Sequence, residues 1–191
     1  MKNIPEIIRV NNEFDIGKYL KGFVSVYKKA FSGHPYYEFF TDGEVEKVLR
    51  ELVYNDGGIC FVLVLGQEVI GLSGGYSLFN EPNISGLFKK YFPNVKSELV
   101  FYFAELAVEA DYRTRGYGSL LIDARMEHVE KNFKAGLHRT QSVDSNSLKL
   151  YLKRGFERIP GMIQNVTTYL LENGQRKEIQ QKRIFSIKFV Q

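Results

Sequence analysis

"ADYRTRGYGSLL", residues 110–121, decides the fold, because it joins two stretches of different character. Before it stands "LVFYFAELAV" at 99–108, dense in β-branched and aromatic residues, which reads as a buried strand. After Gly118 comes "SLLIDARMEHVEKNF", a helix with Leu121, Ala124, Val129 and Phe133 pointing inward. Strand, glycine turn and helix make an anion site: first-turn amides have no partner inside the helix, and the positive end of its dipole faces the turn. Gly116 and Gly118 let a ligand approach without a Cβ in the way, and Arg113 and Arg115 add charge. The same residues also suit a tight turn with two solvated arginines. A nucleotide-triphosphate loop needs Lys and Ser/Thr after its last glycine, and the dinucleotide fingerprint needs a third glycine where Leu121 stands, so both common phosphate loops are excluded.

Upstream, "FDIGKYLKGFVSVYKKAF" carries Ile16, Tyr19, Leu20, Phe23, Val26, Tyr27, Ala30 and Phe31 at helical spacing, stopped by Ser32-Gly33-His34-Pro35. Thr41 and Glu44 form a capping box for a second helix with Val45, Val48, Leu49 and Leu52 inside. "ICFVLVLGQEVIGLSGGYSLF" reads as a hairpin turning at Gly66-Gln67. Residues 80–97 hold Pro82 and Pro93 and read as a loop or short-helix insertion. Downstream, "LHRTQSV" is a strand, "SLKLYLKRGF" a short helix closed by Gly155, and residues 157–191 two strands around Asn173-Gly174. The order predicts a single α/β domain over 1–191: a mixed sheet with helices on its faces and one parallel strand–helix–strand unit at Gly118.

The 191 residues suffice for a core without crosslinks, and 44% apolar with 25% charged residues is ordinary for a globular chain. The lone Cys60, in an apolar run, forms no intrachain disulfide and reads as a core thiol. His34, His128 and His138 lack metal-ligand spacing, so no metal is expected. The net charge of +4 is spread among acids, which argues against a nucleic-acid partner. No apolar run reaches the length of a membrane span, and "MKNIPEIIRV" lacks a signal's apolar stretch; a cytoplasmic protein, monomer or homodimer, with no membrane partner, is expected.

"ELAVEADYRTRGYGSLL" resembles the signature of the GNAT superfamily of acyl-CoA-dependent N-acetyltransferases: Arg or Gln, two residues, Gly, one residue, Gly or Ala, matched by Arg113, Gly116 and Gly118. "DSNSLKLYLKRGF" resembles its second signature, a polar loop and a short helix with a tyrosine before Gly-Phe, matched by Tyr151, Gly155 and Phe156. The two cover residues 98–156. One position departs: the family's asparagine seven before the tyrosine is Asp144 here, with Asn146 two residues on.

The resemblance implies a GNAT-like fold, a mostly antiparallel sheet of about seven strands with one splayed parallel pair and helices on both faces. It also implies acetyl-CoA as cofactor, lying in the splay. Its pantetheine would pair with the backbone of Leu106, Ala107 and Val108. Its pyrophosphate would rest on the amides of Arg113, Thr114, Arg115, Gly116, Tyr117, Gly118 and Ser119. Asp144, Asn146 and Lys153 are further candidates to hold it, Lys153 being equally a plain solvated lysine. A backbone N–H near Val108, at the bulge the family places in this strand, would meet the oxyanion. An alkylammonium with a pKa near ~10.4 must lose a proton before it attacks, so Glu105 is the candidate base, or else an edge or salt-bridged glutamate. Tyr151 would protonate the departing sulfur. Tyr36, Tyr37 and Glu38, in "FSGHPYYEFF", could form an aromatic slot for a cationic amine, or simply pack the helix connection. The insertion at 80–97 is a second candidate to cover that pocket.

The leading function is therefore transfer of an acetyl group from acetyl-CoA to a primary amine of a small molecule, by direct attack in a ternary complex. The alternatives are a non-catalytic acyl-CoA-binding or sensing module, and an acetyltransferase of protein N-termini or lysines. An open groove between residues 33–40 and the C-terminal hairpin would favour the last; a closed pocket favours a small amine. A nucleotidyl enzyme is more distant, since no metal-binding acid cluster accompanies the loop.

Overall fold

The structure, a computed structural model, describes residues 4–33, 36–141 and 145–190. Its strands are β1 (Glu6–Val10), β2 (Ile59–Leu65), β3 (Glu68–Ser77), β4 (Val100–Val108), β5 (Ala135–Thr140), β6 (Glu157–Glu172) and β7 (Gln175–Phe189). Its helices are α1 (Glu13–Phe31), α2 (Asp42–Tyr54), α3 (Pro82–Tyr91), α4 (Tyr117–Asn132) and α5 (Asn146–Leu152). The strands form one sheet in the order β1-β2-β3-β4-β5-β7-β6, and β4–β5 is its parallel pair. That pair is parallel because α4 crosses over between the two strands, whereas short turns join the antiparallel hairpins. The main core holds Phe23, Val26 and Tyr27 of α1 and Leu49 and Leu52 of α2 against one face of the sheet. A second cluster packs Ile122, Met126 and Val129 of α4 and Tyr151 of α5 against Phe101 and Phe103 on the other.

Local chemistry sets the boundaries. The Thr41–Glu44 capping box forms in full at the start of α2. Asn173 and Gly174 both take positive φ, 51° and 77°, which gives the two-residue turn whose twist suits the long β6–β7 hairpin. Residues 80–97 are more ordered than a loop. Pro82 opens α3 and Phe88 buries its ring in the core, so of the two expected forms the short helix holds for Pro82–Tyr91, with irregular chain after it. The inward face of α4 also differs from the expected one: Ile122, Arg125 and Met126 are buried, and Ala124 is only half-buried.

The pair β4–β5 runs in register from Val100↔Ala135 to Phe103↔His138 and no further. Beyond that point β4 stays on β3 as far as Gly71↔Val108, and β5 stays on β7 as far as Thr140↔Ile184. Each strand follows its outer neighbour, and the two part. A bulge stands at the parting: Tyr76 faces Tyr102 and Gly74 faces Glu105, so Phe103 and Ala104 together oppose Gly75. Gly75 has no room for a side chain, since a Cβ there would lie 2.1 Å from the Tyr102 carbonyl oxygen. The bulge thus falls before Glu105 rather than near Val108. Its extra residue turns Glu105 toward α1, where Tyr27 hydrogen-bonds its carboxyl group.

Candidate active site

The loop ahead of α4 is built to leave its amides open. Thr114 and Gly116 both sit at positive φ, 63° and 85°, and Gly116 is the N-cap of α4 with no side-chain bond closing the helix end. The first-turn amides of Tyr117, Gly118 and Ser119 therefore have no intrahelical partner. A Cβ on Gly116 would meet nothing within 4 Å, so its glycine answers to conformation and leaves open space in front of the helix. Arg113 and Arg115 are exposed; Arg113 Nε donates to the Val108 carbonyl at 2.9 Å, and Arg115 Nη2 donates to that of Asp111 at 2.9 Å. Past Phe103, the β5-facing edge of β4, through Leu106, Ala107 and Val108, has no strand partner among the described residues. An uncapped helix end and a free strand edge, both opening on the splay, fit the pyrophosphate and the amide-bearing arm of coenzyme A.

A cavity of about 490 Å³ opens at the splay. Tyr27 and Glu105 line one side of it, and Tyr151, His138 and Ser147 another. Glu105 is half-buried, and the surface it retains faces this cavity rather than bulk water. Burial pushes its carboxyl up to about 8, against the opposing pull of Arg139 and the Tyr27 hydrogen bond. Tyr151 is fully buried, its ring stacked on His138 with centroids 3.8 Å apart. Its hydroxyl accepts from Arg125 Nη2 at 2.7 Å. Burial raises the phenol's pKa and the Arg125 charge partly offsets the rise, so the proton stays on at neutral pH. An arginine has only donors, so the Tyr151 O–H hydrogen is left free for another acceptor. His138 lies 3.0 Å from Ser147 Oγ and 3.1 Å from Ser186 Oγ. Burial lowers its pKa to about 3, so it is neutral.

The cavity has a roof. Phe39 N–H donates to the Tyr169 carbonyl of β6 at 2.6 Å, and Gln181 Nε2 of β7 donates to the Tyr36 carbonyl at 3.0 Å. Arg183 pairs with Glu38, and Arg176 with Glu44 at 2.6 Å. The segment between α1 and α2 and the C-terminal hairpin are thus tied together over the site.

Tyr36 and Glu38 line the cavity as expected, but Glu38 is neutralised by Arg183 rather than open to a cation. Tyr37 is exposed and stays outside the lining, because its positive φ of 52° turns the chain there. Residues 80–97 also stay out of it, because α3 packs its apolar face into the core. Asn146 is the exposed first residue of α5, and Lys153 is exposed at that helix's other end. Asp144 lies outside the described residues, as do His34 and Pro35. Sequence reasoning missed Arg125, Arg139 and Arg183. Arg125 was findable: it falls on the stripe of Leu121, Ile122, Met126 and Val129, where an arginine has no business without buried partners.

The sequence model of the Acetyltransferase (GNAT) family matches residues 22–156. No curated protein sequence matches the chain. Among solved structures, the ribosomal-protein-S18-alanine N-acetyltransferase of Escherichia coli superimposes with a TM-score of 0.62 at 14% identity, over 98% of this chain and 94% of its own. An N-acetyltransferase of Staphylococcus aureus Mu50 gives 0.64 at 14% identity, over 97% and 99%. NAA60 of Arabidopsis thaliana, solved in complex with acetyl-CoA, gives 0.61 at 16% identity, over 98% of this chain and 99% of its own. At these identities the structures establish a shared fold. The family match spans well over half the chain and contains the uncapped α4 loop, the splay, Glu105 and Tyr151: the chain belongs to the Acetyltransferase (GNAT) family.

Proposed function

We propose that the whole chain acts as a single-domain N-acetyltransferase, moving the acetyl group of acetyl-CoA to a primary amine of a small molecule by direct attack in a ternary complex. The observation that carries this reading is the roofed cavity, in which Glu105 and Tyr151 face one space at the splay. Acetyl-CoA supplies an activated thioester carbonyl. The amides of Arg113 to Ser119 and the free edge of Leu106 to Val108 hold it, with Asn146 and Lys153 near either end of α5. Glu105 takes the proton from the attacking ammonium; with a pKa near 8 it is a far better match to an amine than an ordinary carboxylate. As the new C–N bond forms and the C–S bond breaks, the Tyr151 hydroxyl gives its proton to sulfur, and the second proton shed by the acetylated nitrogen restores the phenol by way of solvent.

The ties across the roof favour a small acceptor over a protein chain, which would need an open groove. The convergence of Glu105 and Tyr151 on one cavity favours catalysis over acyl-CoA sensing. A panel of small amines assayed with acetyl-CoA for free thiol tests both. Thiol release with at least one free amine is the expected result. Release only with peptide N-termini or protein lysines would overturn the small-molecule reading, and tight acetyl-CoA binding without transfer to anything would overturn catalysis.

The pH dependence follows from Glu105. kcat/KM should rise with pH through about 8 as the carboxylate forms, and Glu105→Gln should abolish that limb and lower the plateau about 10²-fold or more. Stability moves the other way. The folded pKa is raised, so between the unfolded carboxylate value and about 8 the native state holds the extra proton, and stability falls as pH rises through that window. Thermal melts at pH 5 and pH 9 should show Glu105→Gln gaining on the wild type at the higher pH.

A further inference from the structure

Three arginines line the cavity, and two are already neutralised: Arg183 by Glu38 and Arg176 by Glu44. Arg139 is different. It sits on β5, one residue past the last β4–β5 pair, where the splay begins. Its Nη1 donates to Gln164 Oε1 at 2.9 Å, and its guanidinium lies over the Tyr102 ring at 5.6 Å. No carboxylate among the described residues lies within the 4.0 Å of an ion pair with it. Glu105, Glu81 and the Tyr102 and Tyr76 hydroxyls act on it only at longer range. A half-buried guanidinium steadied by a neutral amide and an aromatic face keeps most of its five donors in hand.

Two further groups point to a polar occupant. Gln141 Oε1 and Thr168 Oγ1 are buried, have no hydrogen-bond partner among the described residues, and belong to residues of the same cavity wall. A buried polar atom left unpaired is unfavourable, so a ligand that satisfies these two would complete the wall. Glu105 stands on the neighbouring strand, within electrostatic reach of Arg139 but not in contact with it. The cavity thus offers a proton acceptor for an amine and, set apart from it, an unclaimed fork of donors for a planar anion.

We propose that the acceptor is an amine that also bears a carboxylate, the amino-acid class, with Arg139 receiving the carboxylate while the amine faces Glu105. This rests on the small-amine reading above and narrows it. A plain polyamine would place a second cation beside Arg139 and be repelled, so the arrangement selects against it as well.

Matched pairs test it: α-amino acids against the same amines without the carboxylate. Wild-type protein should favour the carboxylated member by about tenfold or more in kcat/KM, the size of a charge-assisted, two-point contact. In Arg139→Gln that preference should collapse, mainly through KM, and Arg139→Lys should keep part of it. Calorimetry of the same pairs on the CoA-bound protein reads the contact without turnover. Carboxylate-dependent binding, lost in Arg139→Gln, would support the subsite even if no transfer occurs, in which case catalysis is the reading that fails. Equal use or equal binding of both members by the wild type would overturn the subsite. So would an Arg139→Gln loss that is the same for both members and tracks a shift of the Glu105 limb in the pH profile.

Discussion

Tyr151→Phe should lower kcat by about 10²–10⁴-fold, the range of a lost general acid, while acetyl-CoA still binds. Arg125 occupies the acceptor side of the Tyr151 oxygen at 2.7 Å and cannot take its hydrogen. That hydrogen is free for a departing thiolate. Phenylalanine keeps the ring contacts with Phe103, Phe156 and His138, so the fold and the cavity wall survive. It removes only the oxygen, leaving Arg125 Nη2 without that partner. Equilibrium titration with acetyl-CoA and steady-state kinetics separate the two effects. A thioester whose thiol is more acidic needs less help to leave, so it should narrow the gap between variant and wild type. Unchanged kcat, or a gap insensitive to the leaving thiol, would end the acid assignment.

Arg125→Ala should be the most destabilising single change among the cavity's neighbours, by about 3–5 kcal/mol, since it combines a core void with orphaned buried acceptors. Arg125 is fully buried on α4 and reaches across the sheet face. Nη1 donates to the carbonyls of Gly74 at 3.2 Å and Glu105 at 3.0 Å, and Nη2 to Tyr151. Its guanidinium also lies 4.9 Å from the Phe103 ring centroid. The side chain therefore fastens β3, the bulged strand β4 and α5 at the place where the sheet splits. A chain of this length loses about 2–4 °C in Tm per kcal/mol, so the melt should fall by roughly 10 °C. Arg125→Lys carries the charge without the planar fork and should recover only part. A melt within about 2 °C of wild type for the alanine variant would show that the guanidinium is not structural.

Much of this architecture is legible in the residues because it follows from local rules. The Thr41–Glu44 box, the Gly66 and Asn173-Gly174 turns, the glycine at the mouth of α4 and the Gly155 stop each depend on a few neighbouring residues, and each formed where the sequence put it. The site is legible only where it is local in the same way. The α4 loop and Tyr151 sit in contiguous signatures. Arg139, Arg183 and Gln164 come together through β5, β6 and β7, whose pairing no short pattern announces. Tyr37 was misread for the converse reason: next to Tyr36 and Glu38 it looks equivalent, but a left-handed backbone turns it outward. The bulge was misplaced because it is set by Gly75 on the partner strand, nearly thirty residues earlier, and not by anything within β4.

The roof has a bearing on how such a protein changes over generations. Its hairpin lies entirely beyond residue 156, where the match to the family's sequence model ends. On the reading above, the donor's loop and part of the acceptor's wall, Tyr36, Glu38 and Arg139, lie inside the matched stretch, and the hairpin supplies the rest of that wall. Substitutions at the hairpin positions that line the cavity, such as Val166, Thr168 and Tyr169, would remodel the chamber's ceiling without touching the α4 loop or the β7 residues that support His138 and Tyr151. On the proposed reading, changes in the last thirty-odd residues would reshape one wall of the chamber while leaving Arg139, Glu105 and Tyr151 in the sequence.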